Sequence, residues 1–191
     1  MIVPVPAHVG YPLLGALVFG ESAGLPLPGE TALILAGGLA AAGRLSLPAV
    51  IAVGAAAAIT GDNLGYLLGR RGGRAFLLRD GLGSSHRRRA VARAESFFSR
   101  FGFVAVFVGR WIAGVRIVTA LVAGAARMPW RRFAVANVVA SIAWAATIAT
   151  VARVAGPMGS LLIAAGALVL AGLGIAGQRV RRRRVHALPQ A

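Results

Sequence analysis

The chain has 191 residues, of which 58% are hydrophobic and 14% charged, and its mean hydropathy is +0.76. A water-soluble domain of this size could not enclose so much apolar surface in one core, so the composition predicts an all-α integral membrane protein that forms one membrane domain over 1–191. The absence of cysteine excludes disulfides, thiolate catalysis and cysteine-ligated metal sites. No basic region precedes the first apolar run, so we expect no cleaved signal peptide and a mature chain that begins near Met1.

The first apolar segment, 10–42, carries charges and helix-breaking residues in its middle. These are two acids, two prolines and a glycine: Glu21, Glu30, Pro26, Pro28 and Gly29. Proline removes an amide donor and an ionised side chain is costly in hydrocarbon, so the pattern predicts helix, break, helix. We interpret this segment as a re-entrant hairpin rather than an ordinary span.

The next segment, 46–69, has the length of an ordinary transmembrane helix. Its roughly 22 residues give on the order of 33 Å of helix, which matches the hydrocarbon thickness of a bilayer. Asp62 lies near one end, in Gly61-Asp62-Asn63. It is a candidate contact for a proton or a headgroup, and the alternative is an aspartate satisfied by Arg70 or by interfacial water.

Segment 70–100 is polar and contains nine of the 21 arginines of the chain, which has no lysine and a net charge of +16. Five apolar residues recur at helical spacing: Val91, Ala94, Phe97, Phe98 and Phe101. This pattern indicates an amphipathic helix on the cytoplasmic membrane surface, with its arginines toward anionic lipid. The alternative is a plain cytoplasmic loop that only sets the topology.

The remaining segments repeat the first two in kind. Segment 101–126 carries Arg110 and Arg116 with Gly114 between them, and it again predicts helix, break, helix. Two ordinary spans follow, 133–155 and 157–178, separated by Gly156-Pro157. The basic tail, 179–191, completes the chain and contains five arginines.

The positions of the arginines predict the topology. With 70–100 in the cytoplasm, a full crossing by 101–126 would place Arg127, Arg131, Arg132 and the basic tail outside, against the positive-inside rule. A hairpin that enters from and returns to the cytoplasm places all of them inside, including the C-terminus. Segment 10–42 then dips in from the outer face. We predict an inverted repeat of hairpin plus span, of the kind that builds a midplane site in transporters.

Four charged residues in the two broken segments are the main site candidates: Glu21, Glu30, Arg110 and Arg116. The planar guanidinium group suits phosphate oxygens, so the arginines are predicted to bind an anionic headgroup. The carboxylates would neutralise the arginines when substrate is absent and could take up a proton as the substrate leaves. The alternative is a permanent charge cluster that closes the hairpins together.

No other pattern suggests chemistry. The aromatic residues Trp111, Trp130, Trp144 and Tyr66 are interpreted as interface anchors or packing. The isolated histidines suggest no metal site, and we find no nucleophile with a base, so we expect no enzyme activity, metal or cofactor. Anionic lipid explains the basic tail without nucleic acid.

Several stretches together resemble the DedA membrane proteins, also called SNARE-associated or VTT-domain proteins. They are Glu21 to Glu30 with Leu35-Ala-Gly37, Gly61 to Arg70, Phe101-Gly-Phe, and Gly109 to Arg116 with Leu121-Val-Ala-Gly124. The resemblance implies two opposed re-entrant hairpins and action on envelope lipids, notably undecaprenyl phosphate, often with dependence on the proton-motive force. Eukaryotic relatives are phospholipid scramblases. The functional acids of the family fall on Glu21 and Glu30, and its functional arginines on Arg110 and Arg116.

The leading hypothesis is therefore a multi-pass protein of the bacterial cytoplasmic membrane that flips undecaprenyl phosphate or a similar anionic lipid. One alternative is a proton-coupled transporter of a small ion or solute, and others are a phospholipid scramblase or an envelope scaffold. The expected partners are membrane lipids, an anionic polyprenyl phosphate or phospholipid, with protons and a homo-oligomer left open and nucleic acid not expected.

Overall fold

The computed structural model describes residues 7–73, 84–112 and 115–186, and every regular element in these ranges is helical, which confirms the all-α class. The elements are α1 (Ala7–Ser22), α2 (Gly29–Ala41), α3 (Leu47–Leu68) continued by a π-helical turn (Gly69–Gly73), α4 (Ser84–Gly109), α5 (Val115–Ala125) and α6 (Trp130–His186). Gly114, the predicted break of the second hairpin, lies outside the described residues.

Two stretches of the described helices are long and apolar enough to cross a membrane, judged by length and composition: Leu47–Gly73 and Trp130–Val169. The second has 40 residues, or about 60 Å of straight helix, which is about twice the hydrocarbon thickness. Gly156 divides it, because its φ of 73° and ψ of 179° are not helical and Pro157 follows. The break falls between the two spans expected from the sequence.

Both broken segments contain a pair of helices. The first pair is α1 and α2, joined by a turn over residues 23–28 that contains Pro26 and Pro28. The second pair is α4 and α5. Helix α4 is longer than the first arm of a hairpin over 101–126 requires, because it runs unbroken from Ser84 and includes much of the predicted surface segment. The membrane side from which each pair enters stays a prediction.

The second helix of each pair packs closely on the long helix that follows the other pair. A Cβ atom at Gly37 in α2 would lie 2.7 Å from the carbonyl oxygen of Ala149 in α6. A Cβ atom at Gly124 in α5 would lie 2.8 Å from the amide nitrogen of Arg70, which follows α3. Both contacts therefore require glycine, since real Cβ atoms do not approach backbone atoms so closely. This reciprocal packing brings the two turns toward each other.

Helices α3 and α6 each pass through two apolar cores. One core contains Val50 of α3 and Trp144 of α6, and the other contains Tyr66 of α3 and Phe133 of α6. The order of the cores along the chain is opposite in the two helices, so they run antiparallel. Between the cores, α3 contributes Asp62, and this places a charged residue at the junction.

Candidate functional site

Three charged residues near the turns of the two helix pairs form one ion-pair group, here called the tip cluster: Glu21, Glu30 and Arg116. A guanidinium nitrogen of Arg116, Nη2, donates to Oε1 of Glu21 and lies 3.2 Å from Oε2 of Glu30. The amide of Glu30 donates to Oε2 of Glu21 at 2.9 Å. One arginine of the second pair is thus held by both acids of the first.

The turn between α1 and α2 places these acids side by side. Glu21 lies at the end of α1, and its carboxylate accepts a bond from the first turn of α2, where the positive end of the helix dipole favours an anion. Gly29 makes the approach possible. A Cβ atom there would lie 2.8 Å from both the carbonyl oxygen of Leu17 and the Cα of Val18, so a larger residue would push the helices apart.

A second group, here called the inner cluster, is more deeply buried and contains Asp62, Arg110, Asn137 and Ser141. Arg110, which follows α4, pairs through Nη1 with the carboxylate of Asp62. The same nitrogen lies 3.4 Å from Oδ1 of Asn137, which also accepts a bond of 3.1 Å from the hydroxyl of Ser141. The amide of Asn137 donates to the carbonyl of Ile59 at 3.1 Å. Each member therefore fixes its neighbours.

The two clusters share the indole ring of Trp144. The guanidinium carbons of Arg110 and Arg116 lie 5.2 Å and 4.9 Å from the ring centre, within the range of cation–π attraction. A cavity of about 10 Å³ lies beside both arginines and Asp62, and this is room for about one water molecule. Nε of Arg110 is buried without a hydrogen-bond partner among the described residues.

The structure divides the four predicted site residues into the two clusters. Arg116 meets both glutamates, whereas Arg110 meets Asp62. The alternative in which Asp62 pairs with Arg70 does not occur, because Arg70 donates instead to the hydroxyl of Tyr66 at 2.6 Å. Of the predicted breaks, Pro26 and Pro28 lie in the first turn and Gly29 begins α2.

Sequence reasoning missed two polar residues, and for Trp144 it predicted packing but not the two arginines that the ring contacts. Asn137 and Ser141 are fully buried, and Trp144, interpreted as an anchor or packing, is 3% exposed against both arginines. These three residues are spaced i, i+4, i+7, so they lie on one face of α6. A polar stripe of this kind within an apolar span is a signal that could have identified them.

The charges of the two clusters do not cancel. Three of the five acidic residues of the chain lie here with two arginines, so the formal charge is −1 when all are ionised. Among the described residues, no three His, Cys, Asp or Glu side chains converge to hold a metal ion.

The model of the VTT domain matches residues 27–154. The chain belongs to the VTT-domain family. The match begins just before α2 and ends within α6, so it includes the whole second helix pair but not α1. It confirms the resemblance to the DedA proteins.

Several membrane proteins are similar to this VTT-domain chain. An uncharacterized membrane protein of Mycobacterium bovis is 41% identical over 149 residues, which cover 74% of this chain and 66% of the relative. One from Synechocystis is 38% identical, with 72% of this chain and 65% of the relative covered. The inner membrane protein YghB of Escherichia coli is 34% identical, with 73% and 65% covered. The chain thus spans about two thirds of the length of these relatives. No solved structure matches it.

Proposed function

We propose that this VTT-domain protein translocates an anionic lipid, undecaprenyl phosphate or a similar polyprenyl phosphate, across the bacterial inner membrane. We further propose a multi-pass protein with a cytoplasmic C-terminus and no enzymatic activity. The observation that carries the proposal is the tip cluster, in which Arg116 of one helix pair is held by two carboxylates of the other. The inner membrane location of YghB supports the assigned membrane.

Arg116 has the properties of a headgroup ligand. Its guanidinium group matches phosphate geometry and stays charged in a membrane, so it needs an anion at every stage of a transport cycle. In this structure the anions are Glu21 and Glu30. A lipid phosphate can replace one of them without leaving the arginine unpaired, and this exchange lowers the cost of carrying a phosphate through hydrocarbon.

Glu30 is the carboxylate that we expect to be replaced. Its side chain is 35% exposed, whereas those of Arg116 and Glu21 are 11% and 12% exposed. Glu21 is also tied to the amide of Glu30, which fixes it in the turn. The cavity beside the arginines is too small for a phosphate group, so headgroup binding requires the two helix pairs to separate at Glu30.

Charge balance predicts the direction of proton movement. The clusters already have one more carboxylate than guanidinium groups, so a bound phosphate adds a second or third uncompensated negative charge. Because uncompensated charge is costly away from water, a displaced carboxylate is expected to take up a proton as the headgroup binds. The sequence alone suggested uptake as the substrate leaves, and the carboxylate excess favours uptake on binding. An acidic outer side would then drive inward transport.

A second candidate is a proton-coupled transporter of a small ion or solute. The water-sized cavity between Asp62, Arg110 and Arg116 favours it, because such a cavity can relay a proton but cannot hold a headgroup. This candidate predicts proton flux without lipid movement. The scramblase and scaffold alternatives predict, respectively, movement of all lipids and movement of none.

The test is leaflet exchange of a labelled polyprenyl phosphate in liposomes containing the purified protein, with a labelled neutral glycerophospholipid in parallel. We expect wild type to move the polyprenyl phosphate faster than the neutral lipid and Arg116→Ala to abolish this movement. Arg153→Ala is the matched control, because Arg153 is an exposed arginine of α6 outside both clusters. The folding of each variant is checked by its elution profile and thermal unfolding.

Each other outcome selects a different function. Equal movement of both lipids indicates a scramblase. A proton flux reported by an internal pH dye, without lipid exchange, indicates the solute transporter. No movement of lipids or protons under an imposed pH gradient would overturn the transport proposal and leave a scaffold.

A further inference from the structure

A groove of about 560 Å³ lies between α4 and the first turns of α6, separate from both clusters. Its walls combine three arginines with apolar side chains: Arg100, Arg131, Arg132, Phe103, Val104 and Val135. None of the described residues that line it is acidic. The groove therefore offers a cationic end and an apolar surface to the same ligand.

The cationic end is built by the first turn of α6 and by Arg100 in the interior of α4. Arg131 and Arg132 lie in the first turn of α6, where the positive end of the helix dipole adds to their charge. Arg100 comes from α4, and its guanidinium carbon lies 5.3 Å from the ring centre of Phe101, which orients the side chain. Three guanidinium groups around one groove favour a phosphate-bearing anion.

The apolar surface continues away from the arginines along both helices. On α4, Val104 and Val108 are exposed one helical turn apart. On α6, Val135, Val139 and Ile142 are exposed at i, i+4 and i+7, so they form one stripe. A stripe of this kind is suited to hydrocarbon chains, and it begins where the arginines end.

We propose that this groove binds an anionic glycerophospholipid of the surrounding leaflet, with its phosphate at the arginines and its acyl chains along the exposed apolar stripe of α6. Charge complementarity selects the headgroup, since the groove has three arginines and no acid among the lining residues that the structure describes. The adjoining stripe selects a lipid over a soluble phosphate, which would leave that surface unused. This site does not depend on the transported substrate, and it lies outside the residues of the tip and inner clusters.

The test is native mass spectrometry of the purified full chain in detergent with equal amounts of phosphatidylglycerol and phosphatidylcholine that carry the same acyl chains. We expect wild type to retain phosphatidylglycerol with at least about tenfold preference. The triple variant Arg100→Gln, Arg131→Gln, Arg132→Gln should lose this preference. These side chains are exposed, so their loss should leave folding intact.

Two controls distinguish a groove from diffuse attraction to a basic protein. The triple variant Arg44→Gln, Arg71→Gln, Arg153→Gln removes the same charge from exposed arginines outside the groove and should keep the preference. Val135→Trp keeps every charge but fills the groove, and it should abolish the retention of phosphatidylglycerol. Equal loss in both triple variants, or full retention in Val135→Trp, would overturn the proposal. So would a dimer that the groove variants dissociate, because a second copy would then be the occupant.

Discussion

The two arginines of the candidate site, Arg110 and Arg116, differ in how firmly their surroundings hold them. Arg110 is 6% exposed and is fixed by Asp62 on α3 and Asn137 on α6, two helices that are themselves packed in both apolar cores. Arg116 instead meets acids that lie at the turn between α1 and α2, and one of them is partly exposed. Arg110 is thus enclosed by residues of two packed helices, whereas Arg116 has one partner, Glu30, that is partly exposed. We propose that Arg110 holds the helices in register and that Arg116 exchanges its anion.

The largest effect should come from breaking the ion pair between Asp62 and Arg110 in the inner cluster. Asp62→Ala leaves Arg110 buried without its carboxylate, and we expect a loss of about 3–5 kcal/mol in the free energy of unfolding. Unfolding in mixed micelles with increasing sodium dodecyl sulfate measures this loss. A double variant, Asp62→Leu with Arg110→Met, should recover most of it, because apolar replacement of a buried pair is often neutral.

An unchanged stability in Asp62→Ala would show that Arg110 finds another anion or water, and the distinction between the two arginines would then fail. Arg153→Ala provides the baseline for removing an exposed charge from the same bundle. Its free energy of unfolding should change by less than about 0.5 kcal/mol.

Lysine substitutions test whether the two arginines have separate roles, because each keeps the positive charge and removes the planar guanidinium group. Arg116→Lys should slow polyprenyl phosphate exchange about tenfold, or about 1.4 kcal/mol in the barrier, with little change in stability. Arg110→Lys should instead clearly lower the free energy of unfolding. Its rate of polyprenyl phosphate exchange per folded molecule should fall less than that of Arg116→Lys. Parallel exchange and unfolding measurements on both variants decide the matter. Matching effects at the two positions would contradict separate roles.

The sequence predicted which residues carry the site better than how they pair. Glu21, Glu30, Arg110 and Arg116 stand out because charges are rare and costly in apolar segments. Their division into two clusters depends on contacts between residues 48 to 95 positions apart, which only the packing of the helices decides. Asp62 is the clearest case, since Arg70 is nearer along the chain and Arg110 is nearer in space.

The fold shows the same limit. Helix breaks at Pro26, Pro28 and Gly156 were visible, because proline and glycine act locally. The length of α4 was not predictable. The composition changes from polar to apolar near Phe101, which suggested a helix boundary there, but no helix-breaking residue ends the helix at that point. Gly102 does not end α4, and its missing side chain lets Met128 pack against the helix, where a Cβ atom would lie 2.9 Å from the Cε of Met128.

A smaller effect is expected from the hydroxyl of Ser141, which supports the inner cluster without touching either arginine. Ser141→Ala removes one buried hydrogen bond, of 3.1 Å, to Asn137. We expect a loss of about 1 kcal/mol in the free energy of unfolding and no change in lipid exchange. Thr60→Ala, which removes an exposed hydroxyl bonded only within its own helix, is the control. A slowed exchange with unchanged stability would place Ser141 on the transport path instead.

The smallest effect on stability is expected at Glu30, together with a specific effect on the coupling of lipid exchange to the proton gradient. Glu30→Gln replaces the most exposed carboxylate of the tip cluster, so the free energy of unfolding should fall by less than about 1 kcal/mol. If Glu30 takes up the proton as the headgroup binds, the variant should still exchange polyprenyl phosphate but no longer accelerate when the outer side is made acidic. Glu95→Gln, an acid of α4 outside both clusters, should keep the acceleration. Acceleration that survives in Glu30→Gln would move proton uptake to Glu21 or Asp62 and would contradict the assignment of the proton to Glu30. Uptake by Glu21 would make Glu21 the exchangeable anion of Arg116.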